Sequence, residues 1–140
     1  MGLACRTLQG FSTAAEKKMT GQPHFEAYKA YYGAGDYGDQ YVLAALDGTG
    51  AWEGLPDEAR VQGVKKGTVY MNVFMYVIRE FEDAIADCKA GCIDCNDDPV
   101  HAWDEGVAFY TGTLEGTDGS GSGKMLYALA EKRCKNYGTC

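Results

Sequence analysis

Apolar residues recur every three or four positions through most of this chain, which is the period of amphipathic helices. The firmest stretch begins at Thr68 and ends at Gly91. We expect this stretch to be the central helix of the fold, with Met71 and Met75 widening its buried side. Its predicted inward stripe has eight members in helical register: Tyr70, Val73, Phe74, Val77, Ile78, Phe81, Ile85 and Cys88.

Weaker helical patterns precede the central helix. Residues 24–32 and 36–46 each carry aromatic or aliphatic side chains at helical spacing, and each stretch ends at glycines. Asp57 is expected to begin the long helix, and Gly63 and Gly67 are candidate interruptions within it. Residues 1–22 have no firm pattern, so we expect a loosely structured N-terminal lead-in with one short helix.

A further helix is predicted near Pro99, because proline suits the first helical position, where its missing N–H is not needed. Either Asp97 or Asp98 would cap this helix, and it is expected to run to about Leu114. Its predicted buried residues are Val100, Trp103, Val107 and Tyr110.

The C-terminal part contains a Gly- and Ser-rich loop at residues 116–123 and a last amphipathic helix at residues 124–135. No stretch shows the two-residue alternation of a half-buried strand. We therefore predict an all-α fold, a bundle of four to five helices that is joined by Gly-rich loops and cross-linked by disulfides. Residues 23–140 are expected to form a single helical domain.

The charge balance is acidic, with 20 acidic and 13 basic residues and a net charge of −7. Nucleic acid is therefore not an expected partner, because phosphate binding needs a basic surface. No apolar run approaches the ~20 residues of a membrane-spanning helix. No signal peptide is visible at Met1, which indicates either a mature or truncated start or a cytosolic protein.

Six cysteines favour an oxidising compartment and a disulfide framework. Cys134 and Cys140 are not expected to pair with each other, because one would lie on a helix and the other closes the tail. The C-x3-C-x2-C spacing of the central group also resembles iron–sulfur or zinc patterns, but disulfides are favoured. The predicted disulfide residues are Cys5, Cys88, Cys92, Cys95, Cys134 and Cys140.

A candidate metal-binding face lies on the helix that follows Pro99. His101, Asp104 and Glu105 are three and four positions apart, so their side chains point the same way, and Glu115 falls on the same predicted face. Two carboxylates and an imidazole suit iron, manganese or zinc. The alternative is a solvated face of an acidic protein.

A second acidic group lies late in the central helix, where Glu80 and Asp83 share one face with Asp87. If this face met the His101 face, several carboxylates would surround one point, and their repulsion would require a cation. Arg79 offers an alternative source of positive charge, which would make the group a structural ion-pair network.

Four segments together resemble the low-iron-inducible periplasmic, or iron-assimilating, protein family of algae and fungi. The resemblance covers roughly residues 25–140. The segments are FEAYKAYYGAGDYGDQYV, KGTVYMNVFMYVIREFEDAIADC, HAWDEGVAFYTGTLEG and LYALAEKRCKNYGTC. The resemblance implies a periplasmic, extracellular or organelle-lumen protein that takes part in iron uptake and is not an enzyme.

We therefore expect a protein that binds iron through carboxylates and His101 and delivers it to iron-uptake machinery. The Glu-x-x-His pairs of di-iron enzymes are absent, which also disfavours an enzyme. The alternative is a structural or interaction subunit docked on a larger membrane-protein complex in a lumen or periplasm. Its candidate contact residues are Tyr31, Tyr32, Tyr37 and Trp52.

Overall fold

The computed structural model describes residues 7–96, 98–116, 118–119 and 121–140. Within these residues every regular element is a helix and no β-strand occurs. The predicted all-α class is therefore confirmed. Cys5 and Asp97, which the sequence marked as a disulfide residue and a helix cap, lie outside the described residues.

Most helices lie within one or two residues of their predicted positions. Five longer helical stretches stand out in the described chain, when α5, the π-helical turns and α6 are taken as one continuous stretch. In chain order the elements are α1 (Leu8–Thr13), α2 (Ala15–Met19), α3 (Pro23–Tyr32), α4 (Tyr37–Asp47), a 3-10 turn (Gly50–Trp52), α5 (Asp57–Gly67), a π-helical segment (Thr68–Val73), α6 (Phe74–Lys89), α7 (Asp98–Thr111) and α8 (Leu126–Tyr137).

The contacts within the chain group it into two compact units, Met1–Met75 and Tyr76–Cys140. We call them the N-terminal unit and the C-terminal unit and describe each by itself. The single domain predicted for residues 23–140 stays a prediction.

The N-terminal segment is more ordered than expected in its described part. Thr7 caps α1, where its side-chain oxygen accepts a hydrogen bond from the Gly10 amide at 2.9 Å. Ser12, Ala15 and Met19 are buried. Residues 7–22 thus form two short helices and contribute buried side chains to the N-terminal unit. The lead-in predicted for residues 1–22 stays a prediction.

Packing in the N-terminal unit centres on α4 and α5, which lie against each other. Gly63 is buried inside α5, and a side chain there would overlap the Trp52 ring. The absence of a side chain at Gly63 thus lets an aromatic ring rest on the helix backbone. The expected interruption at Gly63 is not seen.

The helix changes its winding directly after α5. Phe74 donates its backbone N–H to the Val69 carbonyl, five residues earlier, which is the hydrogen bond of a π turn. A π turn holds one residue more than an α turn. The side chains that follow it therefore lie up to about 100° around the helix axis from the positions that an uninterrupted α-helix would give them.

The buried side of α6 differs in part from the predicted stripe. Phe74, Ile85 and Cys88 are exposed, which corrects their assignment to the core. The buried positions within α6 are Met75, Tyr76, Val77, Glu80 and Ala84.

In the C-terminal unit, α7 buries its small residues instead of its large ones. Pro99, Ala102 and Gly106 are buried, and a Cβ at Gly106 would lie 2.7 Å from Cε1 of Phe81. Trp103 is 52% exposed, and Val100 and Val107 are exposed too. The prediction that these large residues face inward is wrong, because the Phe81 ring of α6 packs on the small-residue side of α7 at Gly106.

The cysteine pairing also departs from expectation. Disulfides join Cys92 to Cys95 and Cys134 to Cys140. The second pair corrects the prediction that these cysteines would not bond, since α8 ends at Tyr137 and the tail turns back at Gly138 in a left-handed conformation. Cys88 is a free, exposed thiol, so its assignment to a disulfide is wrong.

Candidate functional site

The exposed side of α7 presents three of the predicted iron ligands. His101, Asp104 and Glu105 are all exposed, and none of them makes an ion pair within the described chain. Their spacing places them on neighbouring turns of one helix face. This face offers oxygen and imidazole ligands to solvent, but it does not enclose an ion.

Glu80 and Asp83 of α6 share one arginine partner. Glu80 is only 2% exposed, and its Oε2 lies 2.5 Å from Arg79 Nη1. Asp83 Oδ2 lies 3.4 Å from Arg79 Nη2 on the exposed side. A buried carboxylate needs such a partner because its desolvation is otherwise uncompensated. The ion-pair alternative for this acidic group is the arrangement observed.

Glu115 lies apart from the α7 face. The helix ends at Thr111, where Gly112 adopts a left-handed conformation with φ of 73°, so the helix stops about one turn before its predicted end at Leu114. Glu115 therefore cannot share a helix face with His101. This position corrects the predicted common face.

The loop after α7 folds over Glu115. Its backbone carbonyl accepts a hydrogen bond from the Gly121 amide at 2.7 Å, and the Leu114 carbonyl accepts one from Ser122 at 2.9 Å. Glu115 is 4% exposed, and its Oε2 is buried without a hydrogen-bond partner. A carboxylate held in this way is not accessible to a solvated ion without movement of the loop.

The candidate ligands do not converge on one point. Among the described residues, no group of three or more His, Cys, Asp or Glu side chains is placed to hold a metal ion. The predicted ligand set of His101, Asp104, Glu105, Glu80, Asp83 and Glu115 therefore stays a prediction, carried chiefly by the exposed residues of α7.

An apolar surface cavity in the C-terminal unit was missed at the level of sequence. It has a volume of about 430 Å³ and lies between α6, α7 and the segment that joins them. Ile85, Ile93, Val100 and Trp103 line it, and Trp103 also contacts Phe81 with ring centroids 4.8 Å apart. The spacing of Ala102 and Gly106, one turn apart, was the signal in the sequence that α7 buries the side that carries its small residues.

These features define an acidic, helical, disulfide-bonded protein with exposed carboxylates. In the part of the chain that the structure describes, no helix has the length and apolar content needed to cross a membrane.

Comparison with known families identifies the protein more closely. The model of the Fea1 family, described as low iron-inducible periplasmic protein, matches residues 1–135. The chain belongs to this family, which confirms both the resemblance seen in the sequence and the predicted periplasmic location. No curated protein and no solved structure matches the chain.

Proposed function

We propose that this protein binds iron in the periplasm as cargo and passes it to an uptake system, without catalysing a reaction. The observation that carries the proposal is the match of residues 1–135 to a low iron-inducible periplasmic family. A protein made when iron is scarce acts most directly by raising the supply of iron.

The exposed side of α7 supports this proposal chemically. Carboxylate oxygens are hard ligands that suit ferric iron, and Asp104 and Glu105 provide two of them next to the imidazole of His101. Because all three side chains are exposed, iron can arrive from solvent and leave toward a partner. A carrier benefits from such an open site, since a closed cage would slow release.

The test is iron binding by the parent protein and by the double variant Asp104→Asn/Glu105→Gln. Ferric iron is supplied as a citrate complex, and bound metal is measured by equilibrium dialysis with elemental analysis. We expect the parent to bind iron and the double variant to bind it at least tenfold more weakly.

The matched control is Glu82→Gln/Glu131→Gln, which makes the same change in net charge at exposed positions of α6 and α8. It should bind iron as the parent does. Equal binding by all three proteins would contradict the α7 site, and a parent that binds no iron would contradict the function itself.

A second candidate function is that of an interaction subunit of a larger membrane-associated complex, and the apolar cavity beside Trp103 favours it. Exposed apolar patches rimmed by polar residues often mark protein interfaces. The contact residues first expected for this role need one correction, because Tyr37 is 3% exposed and therefore buried. Trp103 and Val100 replace it as contact candidates.

This alternative is tested by isolating the native protein from cells and measuring its size and metal content. Metal-free protein in a stoichiometric complex, lost on Trp103→Glu but kept on the exposed-site control Tyr137→Ser, would support the subunit role. Iron-loaded protein that is not part of a complex would contradict it.

A further inference from the structure

The apolar cavity beside Trp103 lies on an exposed surface that also carries one charge of each sign. Ile93, Val100 and Trp103 are 67%, 55% and 52% exposed, and Lys89 and Asp104 belong to the same lining. Neither Lys89 nor Asp104 makes an ion pair with another residue of the described chain. We call these five residues the Trp103 surface. Exposed apolar patches with polar residues at their edge mark interaction sites.

The two charges lie at opposite ends of the Trp103 surface. The helices α6 and α7 run antiparallel, as shown by two ring contacts: Tyr76 with Phe109 and Phe81 with Trp103. Asp104 is therefore level with Phe81, whereas Lys89 is the last residue of α6. With a rise of about 1.5 Å per residue, the positions of Phe81 and Lys89 are about 12 Å apart along the helix axis. One end of the surface is thus positive and the other is negative.

This distribution of charge favours a second copy of the same surface over a small charged ligand. An anion would meet the carboxylate of Asp104, and a cation would meet the ammonium group of Lys89. A two-fold axis brings residue i of one copy to residue j of the other, and j to i. Lys89 of each copy then faces Asp104 of the other, and the apolar side chains between the two charges meet each other.

We propose that the protein forms a two-fold symmetric dimer through the Trp103 surface. Burial of Val100 and Trp103 supplies the hydrophobic contribution, and the two Lys89–Asp104 pairs fix the orientation of the copies. The net charge of −7 on each copy opposes association, so the dimer is weak and reversible. Its occupant differs from the membrane-complex partner of the second candidate function, which would compete for the same surface.

The proposed dimer does not rest on the proposed iron function. Asp104 belongs both to the α7 face and to the Trp103 surface. The experiments are therefore done without iron, so that failure to dimerise and failure to bind iron are separate results.

The main experiment follows the mass of the full-length protein by analytical ultracentrifugation, over a concentration series at low ionic strength. We expect the parent to change from monomer to dimer as its concentration rises. Lys89→Glu and Asp104→Lys each place like charges opposite one another and should weaken the dimer at least tenfold. An equal mixture of these two variants should associate as the parent does, because one copy is then negative at both positions and the other is positive at both.

Two further variants complete this experiment. Trp103→Glu places a charge among the apolar side chains and should also weaken the dimer at least tenfold. Lys66→Glu makes the same change in charge as Lys89→Glu at an exposed position of α5, and it should associate as the parent does. A parent that stays monomeric, or a mixture that associates no better than the separate variants, would overturn the proposal.

Cys88 provides an independent measure of the same contact. Its thiol is free and exposed, and it belongs to the lining of the cavity. A short bismaleimide, which joins two nearby thiols, should cross-link the parent and Cys5→Ser into dimers but should leave Cys88→Ser monomeric. Equal cross-linking of the parent and Lys89→Glu would overturn the proposed orientation. A different polypeptide or an apolar small molecule bound to the Trp103 surface in the native protein would overturn the dimer itself.

Discussion

Single residues without side chains set how closely the helices of this protein approach their neighbours. Gly63 lies under the Trp52 ring in the N-terminal unit, and Gly106 lies against Phe81 in the C-terminal unit. In each place an aromatic ring occupies the space that a Cβ would take. Protein interiors are too densely packed to absorb an added methyl group without displacement, so these glycines are structural requirements.

The variant Gly63→Ala should lower the free energy of unfolding by about 1–3 kcal/mol, because the new methyl group displaces the Trp52 ring. The better helix propensity of alanine offsets up to about 1 kcal/mol of this loss. Urea unfolding measures the change. Gln62→Ala, at the exposed neighbouring position, is the control and should stay within about 0.5 kcal/mol of the parent. An unchanged midpoint for Gly63→Ala would contradict the close contact.

Tyr37 couples the stability of the protein to alkaline pH. Burial raises the pKa of its hydroxyl above the ordinary value of 10.0, and the nearby Tyr28 and Tyr32 raise the pKa further. The folded state thus keeps the proton at a pH at which the unfolded state has lost it. The stabilisation is complete below pH 10 and is lost as the pH rises toward the folded-state pKa.

We therefore expect the free energy of unfolding to fall above pH 10 by at most about 1.4 kcal/mol per pH unit from this residue. Tyr37→Phe should remove that slope, since phenylalanine carries no ionisable proton. Unfolding by urea at several alkaline pH values tests this expectation. Tyr31→Phe, at an exposed position of α3, should keep the parent slope, and an identical slope in both variants would contradict the assignment.

At the scale of helices, one arginine ties the end of α4 to α5. The last carbonyls of a helix lack partners within the helix. Arg60 of α5 donates from Nε to the Ala45 carbonyl at 2.9 Å and also donates to the Leu46 carbonyl. Asp57, one turn earlier on α5, lies 3.2 Å from Arg60 Nη1 and holds the guanidinium in place. This contact fixes how the two helices meet.

Arg60→Met keeps the aliphatic stem and removes the hydrogen bonds, so we expect a loss of about 1–3 kcal/mol in unfolding free energy. Lys66→Met removes a positive charge from an exposed position of the same helix and is the control. Thermal unfolding followed by circular dichroism compares the two. Equal midpoints would mean that water replaces the arginine without cost.

At the scale of the whole molecule, the net charge of −7 and the exposed carboxylates make the protein a favourable partner for cations. Its membership of a low iron-inducible periplasmic family turns this general property into a specific expectation about iron. A ligand that binds the folded state alone also stabilises it, so iron binding has a consequence for folding.

Saturating ferric citrate should therefore raise the midpoint of thermal unfolding. At a free iron concentration 100 times Kd, the expected stabilisation is about 2.7 kcal/mol, which corresponds to several degrees. The variant Asp104→Asn/Glu105→Gln should show a markedly smaller rise, and citrate without iron should produce none. A rise of the same size in both proteins would place the iron elsewhere on the chain.

Local patterns in the sequence were enough to predict the helices and their class. The period of the apolar residues, Asp57 after a proline and Pro99 near a helix start all act over one or two turns, and the structure has α5 and α7 near these points. The four family segments likewise identified a periplasmic, low-iron-inducible protein, which the family match confirms.

Which side of each helix is buried was decided only by tertiary packing. Helical periodicity favoured Trp103 as a core residue, but the Phe81 ring packs on Gly106, where no side chain occupies the space, and Trp103 is left exposed. The π turn at residues 68–73 was likewise not predicted, because a pattern based on 3.6 residues per turn has no sign of such an insertion.

The residues of the candidate site also fall into those whose position local spacing indicates and those whose position depends on tertiary packing. Sequence spacing puts His101, Asp104 and Glu105 on one face of α7, because three- and four-residue separations act within one helix. It could not predict that Glu115 lies under a loop or that Glu80 is buried against Arg79. Cysteine pairing is decided in the same way, since the return of the tail to Cys134 depends on where the chain goes after α8. Local periodicity thus determined the helices, whereas burial and long-range proximity depended on the three-dimensional packing of side chains of particular shapes.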